Sequence, residues 1–170
     1  MRLIGCPALT FADVCGECSP SHIVLLASPG SAPPDAPPGP RLLSLAFNDI
    51  EAERPGLVPP RFADVEAILA FGQSWDASAP LLASCQAGVS RSTAALFVIA
   101  CDRRPDLPEA VIADRLRTAS PCATPNPLLV SLADRILGRR DRMIRAVAAI
   151  GRGADYVPYR SFEVTLPPAG

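Results

Sequence analysis

The sequence predicts an α/β fold: a central, mostly parallel sheet flanked by helices. Three observations carry that expectation. The runs HIVLLAS (His22–Ser28), RLLSLAFND (Arg41–Asp49) and APLLASC (Ala79–Cys85) are short, rich in leucine or β-branched residues, and bounded by turn residues, as buried strands are. Between the second and third, RFADVEAILAFGQSW carries Phe62, Val65, Ile68, Leu69 and Trp75 at helical spacing. Buried strands separated by helices imply right-handed crossovers and a sheet covered on both faces.

The elements follow in order. The opening residues around Cys6 read as the start of an edge strand, and His22–Ser28 as a central one. The segment SPGSAPPDAPPGP, residues 28–40, is too rich in proline and glycine for a regular element and reads as a stiff surface loop of polyproline character. The strand from Arg41 then delivers Asn48 and Asp49 to its C-terminal end. Pro59 and Pro60 precede the first turn of the next helix.

The strand ending at Cys85 runs into a loop, and RSTAALFVIACD after it is helical until Pro105 and Pro108. PEAVIADRLRTAS forms another helix. After TPNP, the stretch LLVSLADRILGRRDRMIRAVAAI forms a last long one, with Gly138 as a candidate break. The tail, residues 151–170, sets Tyr156, Val157, Tyr159 and Phe162 among prolines and polar residues, which suits an edge strand and a docked tail equally. All 170 residues read as a single domain.

Composition narrows the function classes. Hydrophobic residues make up 49%, yet no uninterrupted apolar run approaches the ~18 residues that span a bilayer. The net charge of −1 supplies no global field to recruit nucleic acid or an anionic membrane. Any anion must be captured locally. All 16 basic residues are arginine, a bias that reads as compositional. The 6 cysteines are irregularly spaced in a chain too large to need staples, so free thiols and a cytoplasmic location are expected.

The stretch LLASCQAGVSRST, residues 81–93, holds the chemistry. A cysteine six positions before an arginine is weak evidence, since chance supplies about 0.6 such pairs in this composition. Requiring Gly88 and a Ser or Thr directly after the arginine lowers that to about 0.004. Backbone N–H groups of Gln86, Ala87, Gly88, Val89, Ser90 and Arg91, together with the N-terminus of the following helix, form a cradle for a tetrahedral anion. Gly88 lets the backbone curl without a Cβ in the way. Arg91 offers a planar fork for two oxygens, and the same fields favour a thiolate at Cys85.

CQAGVSRST resembles the C-x5-R-[ST] signature loop of the cysteine-dependent protein tyrosine phosphatase superfamily, and AGVSRS is especially similar to its dual-specificity branch. The order of elements and the PNP at Pro125–Pro127 agree, so the similarity covers roughly residues 20 to 140. The resemblance implies a phosphotyrosine-phosphatase-like fold and a phosphate-monoester hydrolase that needs no metal or other cofactor. Cys85 would be the nucleophile, Arg91 the phosphoryl clamp, and Ser92 the donor to the departing thiolate. The family's general acid is an aspartate on a loop some thirty-odd residues before the cysteine. Asp49 fits that place, whereas Asp64 falls inside a helix and Asp76 before a strand. Asn126 matches a polar residue that orients water in some members, or else caps a helix.

Two departures stand out. The family usually has histidine before the cysteine, where this chain has Ser84, whose hydroxyl is expected to donate to a loop carbonyl instead. Nothing marks a deep phosphotyrosine pocket either, which leaves open whether the substrate is a phosphorylated protein or a small phosphate ester. Two other classes stay in view. One is a pseudophosphatase that binds phosphorylated partners without turnover, and the other is a sulfurtransferase or arsenate reductase, which also uses a thiol in an oxyanion cradle.

A metal site at Cys6, Cys15, Cys18 and His22 is formally available, because CGEC supplies a C-x2-C pair close to the only histidine. Placement of His22 at the head of a core strand favours ordinary thiols. GRRDRMIR, residues 138–145, reads as a solvated helix face rather than a nucleic-acid patch.

Overall fold

In the computed structural model, which describes residues 1–155 and 160–167, the chain forms five strands and six helices. The strands are β1 (Arg2–Pro7), β2 (His22–Ala27), β3 (Arg41–Ala46), β4 (Leu81–Cys85) and β5 (Phe162–Thr165). The helices are α1 (Phe11–Cys18), α2 (Phe62–Gln73), α3 (Arg91–Arg103), α4 (Glu109–Ala119), α5 (Pro127–Ile136) and α6 (Arg142–Ile150), and a 3-10 turn at Ala8–Thr10 precedes α1. The sheet order is β3-β2-β4-β1-β5, in which β5 alone is antiparallel. The expected α/β class with a mostly parallel, helix-flanked sheet is the architecture observed.

Side chains alternate across each strand, and that alternation sorts the core into two layers. Val24, Leu26, Leu81, Ala83 and Cys85 face the larger layer, built with α2 to α6. Ile4, Cys6, Ile23, Leu25 and Leu82 face the smaller one, closed by Phe11, Val14 and Cys15 of α1. Trp75 is fully buried, and its indole N–H donates to the Ala79 carbonyl at 2.8 Å.

Several expectations are corrected. The segment around Cys6 is no edge strand, because β5 returns from far along the chain and covers its outer side; β2 is interior as expected, paired with β3 and β4. The first helix, α1, gave no clear signal in FADVCGEC. It exists because its apolar face is buried on the sheet, and it ends where Ser19 turns left-handed at φ 46. The long helix does break at Gly138, whose φ of 62 suits a residue without a Cβ. Of the tail residues, Phe162 lies in β5, while Tyr156, Val157 and Tyr159 lie outside the described residues.

The proline-rich stretch has a topological task. Strands β2 and β3 are parallel neighbours, and parallel neighbours require a crossover rather than a hairpin. Residues 28–40 supply that crossover without a helix, and Ala36 packs against the α1 layer on the way. No helix among the described residues is long and apolar enough to cross a membrane.

Candidate active site

The site forms where β4 ends and α3 begins. Cys85 closes the strand, residues 86–90 make the loop, and Arg91 opens the helix. Gly88 has φ +71, and a Cβ there would lie 2.7 Å from the Pro7 nitrogen and 2.8 Å from the Cys6 carbonyl carbon. The loop therefore rests on the end of β1 at a distance only glycine permits. On its other side the Thr124 N–H donates to the Val89 carbonyl at 2.9 Å and the Asn126 N–H to Ser90 at 3.3 Å. The Thr93 hydroxyl adds a bond of 2.9 Å to the Ser90 carbonyl. Among the described residues, the amides of Gln86, Ala87, Gly88, Val89 and Ser90 donate to no side chain and to no carbonyl outside the regular ladders.

Cys85 and Ser92 come together, with Sγ and Oγ 3.2 Å apart. Arg91 is 3% exposed and has no carboxylate partner among the described residues. Its Nη1 donates to the Phe47 carbonyl at 2.9 Å and to Ser28 Oγ at 3.2 Å, which fixes the guanidinium plane. Its Nε is buried without an acceptor among the described residues.

Asp49 lies just beyond β3, exposed, on a loop pinned where Asn48 exchanges bonds with Val58 at 2.7 and 2.8 Å. Its Oδ1 accepts from Ser90 Oγ at 2.7 Å and from Asn126 Nδ2 at 2.8 Å. The aspartate is thus tied to the anion loop itself, while its Oδ2 accepts nothing among the described residues. Asn126 caps α5, its Oδ1 accepting from the Leu129 N–H at 2.9 Å, and its Nδ2 donates to Asp49 and to the Ile50 carbonyl. Asp64 is occupied at the start of α2, where it accepts from the Arg61 N–H, and Asp76 binds Ser78.

Ser84 departs from expectation. Alternation turns its side chain toward the α1 layer, beside Cys6 in the parallel register, and its hydroxyl is buried without a hydrogen-bond partner among the described residues. It gives no bond to a loop carbonyl. The Cys6 thiol beside it is pushed up to about 12, chiefly by burial.

The alternative metal cluster is divided by the sheet. His22 lies on the α2 side, its ring 5.0 Å from Phe71 and bonded to Ser21 and Ser74, while Cys6 and Cys15 lie in the opposite layer. Among the described residues no three His, Cys, Asp or Glu side chains gather to hold a metal ion.

The chain has the fold of the dual-specificity phosphatases. Human DUSP28 is similar over 86% of this chain and 94% of that one, with a TM-score of 0.59 and 22% identity. The human tyrosine phosphatase-like serine/threonine/tyrosine-interacting protein aligns over 81% and 92%, with a TM-score of 0.63 and 16% identity. PTPMT1, in a complex with PI(5)P, aligns over 78% and 88%, with a TM-score of 0.57 and 12% identity. No known protein-family model matches the sequence, and no curated protein does.

Proposed function

We propose that the protein is a phosphate-monoester hydrolase acting through a cysteinyl-phosphate on Cys85. Arg91 carries the reading. Burying a cation without a counter-charge costs several kcal/mol, and an oxyanion held between Arg91 and the loop amides offsets that cost. The fold shared with dual-specificity phosphatases supports the same chemistry.

In the first step the Cys85 thiolate attacks phosphorus. The S–P bond forms, the ester P–O bond breaks, and Asp49 gives its proton to the leaving oxygen. The Arg91 guanidinium and the amides of Gln86 to Ser90 bind the equatorial oxygens as charge develops on them. In the second step water attacks phosphorus, Asp49 takes its proton and the S–P bond breaks. Ser92, 3.2 Å from the sulfur, then donates to the departing thiolate. Ser90 and Asn126 position Asp49 by holding one carboxylate oxygen, which leaves the other for the transferred proton. The substrate is a phosphorylated protein or a small phosphate ester, a phosphoinositide included.

Hydrolysis of p-nitrophenyl phosphate across pH, with EDTA present, tests the proposal. Turnover should vanish in Cys85→Ser and lose its basic limb in Asp49→Asn. Unchanged turnover in Cys85→Ser would sink it.

One observation favours a second reading, a phosphate-binding protein without turnover. Ser84 stands in place of histidine and makes no bond to the loop. A neighbour in fold also carries the description tyrosine phosphatase-like. Vanadate raising the Tm of a protein that hydrolyses no aryl phosphate would select it.

A further inference from the structure

A groove of about 1040 Å³ lies between the loop that carries Asp49 and helix α5. Its rim holds Arg54, Arg61 and Arg135, against which Glu53 is the one carboxylate of the lining. None of the three arginines forms an ion pair among the described residues. The wall is apolar: Leu57 and Phe62, each 40% exposed, both lie in the lining, and Leu128 and Leu132 complete it. Arg135 stands over the Phe62 ring at 5.0 Å, which holds its charge at the rim.

The groove adjoins the candidate site through shared elements. Asn126 grips Asp49, and two residues later Leu128 lines the groove. The loop leaving Asp49 reaches Glu53 and Arg54 within one short stretch. A ligand with its phosphate on the Cys85 loop therefore has the groove next to it.

We propose that this groove docks an acidic, leucine-containing segment that flanks the phosphorylated residue of a protein substrate, an inference that rests on the phosphatase reading above. Charge complementarity names the acidic part, since three unpaired guanidinium forks match carboxylates. The exposed leucine and phenylalanine name the apolar part. A bilayer fits less well, because these apolar groups line a concavity that an extended peptide reaches and a flat lipid surface does not. Arg54, Arg61 and Arg135 would then set specificity without taking part in the chemistry.

Two readouts test this. The first is fluorescence anisotropy of a labelled, unphosphorylated peptide, Asp-Asp-Leu-Asp-Asp-Leu, on the Cys85→Ser protein, with Asn-Asn-Leu-Asn-Asn-Leu as control. The acidic peptide should bind and weaken with salt. The double variant Arg61→Gln/Arg135→Gln should cost about tenfold in affinity, and Arg61→Lys/Arg135→Lys should lose less, because the charge stays and only the fork is removed. The second is kcat/KM of wild type and double variant on a phosphotyrosine peptide with the acidic flank and on p-nitrophenyl phosphate, where only the peptide value should fall. Equal binding of both peptides, an unaffected double variant, a parallel loss on both substrates, or binding only to phosphoinositide vesicles would overturn the proposal. The binding arm needs no turnover: an acidic peptide that fails to bind the intact groove, while wild type still hydrolyses p-nitrophenyl phosphate, overturns docking alone, and a peptide that binds while wild type hydrolyses no aryl phosphate overturns the phosphatase reading alone.

Discussion

Asn126 Nδ2 donates to Asp49 Oδ1 across 2.8 Å, joining residues 77 apart in the chain. The same side chain caps α5, so one amide couples helix, acid loop and anion loop. Asn126→Ala should destabilise the protein by about 1 kcal/mol through the lost cap. It should also slow phenyl phosphate more than p-nitrophenyl phosphate, because only a poor leaving group depends on a well-aimed acid. Rates across a series of leaving groups check this; a uniform loss would mean the contact is structural only.

Ser92 and Cys85 make a different prediction. On the proposed mechanism, removing the hydroxyl would leave the first step intact and withdraw the donor to the departing thiolate. Ser92→Ala should lower kcat about 10²-fold. It should also release one burst of nitrophenol per enzyme in stopped flow, with cysteinyl-phosphate accumulating.

Gly88 combines φ +71 with a 2.7 Å approach to backbone. Gly88→Ala adds left-handed strain and a clash that no side chain can relieve by moving. Expected destabilisation is about 2–4 kcal/mol. A lower urea midpoint at unchanged m would show it, along with loss of any stabilisation by inorganic phosphate.

The buried thiols set an alkaline limit. Burial pushes Cys6 up to about 12 and raises Cys101 as well, while an unfolded thiol titrates near about 8.5. Between those values the native state keeps a proton that the unfolded chain releases. The stability contribution is therefore fully present below about 8.5 and falls as pH rises, by up to about 1.4 kcal/mol per pH unit and thiol. Urea midpoints across that window should decline more gently in Cys6→Ala than in wild type.

Local pattern made much of this molecule legible. His22 and Arg41 begin strands where the apolar runs begin, and the loop from Cys85 to Ser92 was legible from its spacing together with Gly88, the serine after the arginine and its place between a strand and a helix. Other features depend on partners distant in the chain. FADVCGEC becomes helical only because Phe11, Val14 and Cys15 find the sheet. The interior place of β1 depends on β5. The orientation of Ser84 follows from a period-two count along β4, a signal that was present but pointed away from the expected bond. The basic groove had no signature, because Arg54, Arg61 and Arg135 meet only after the acid loop folds against α5.

Strand β1, whose end supports Gly88, is flanked on its outer side by β5 alone, and Arg2 and Glu163 join the two by paired bonds of 2.9 Å across 161 residues. Closing so long a span is entropically slow compared with local helix formation. During synthesis β1 therefore waits with one row of backbone donors and acceptors unpaired, a template for any other extended chain. Until β5 emerges the nascent protein is open to mispairing at the strand that supports Gly88, and a chaperone that shields residues 2–7 would protect the sheet and the loop after Cys85 together.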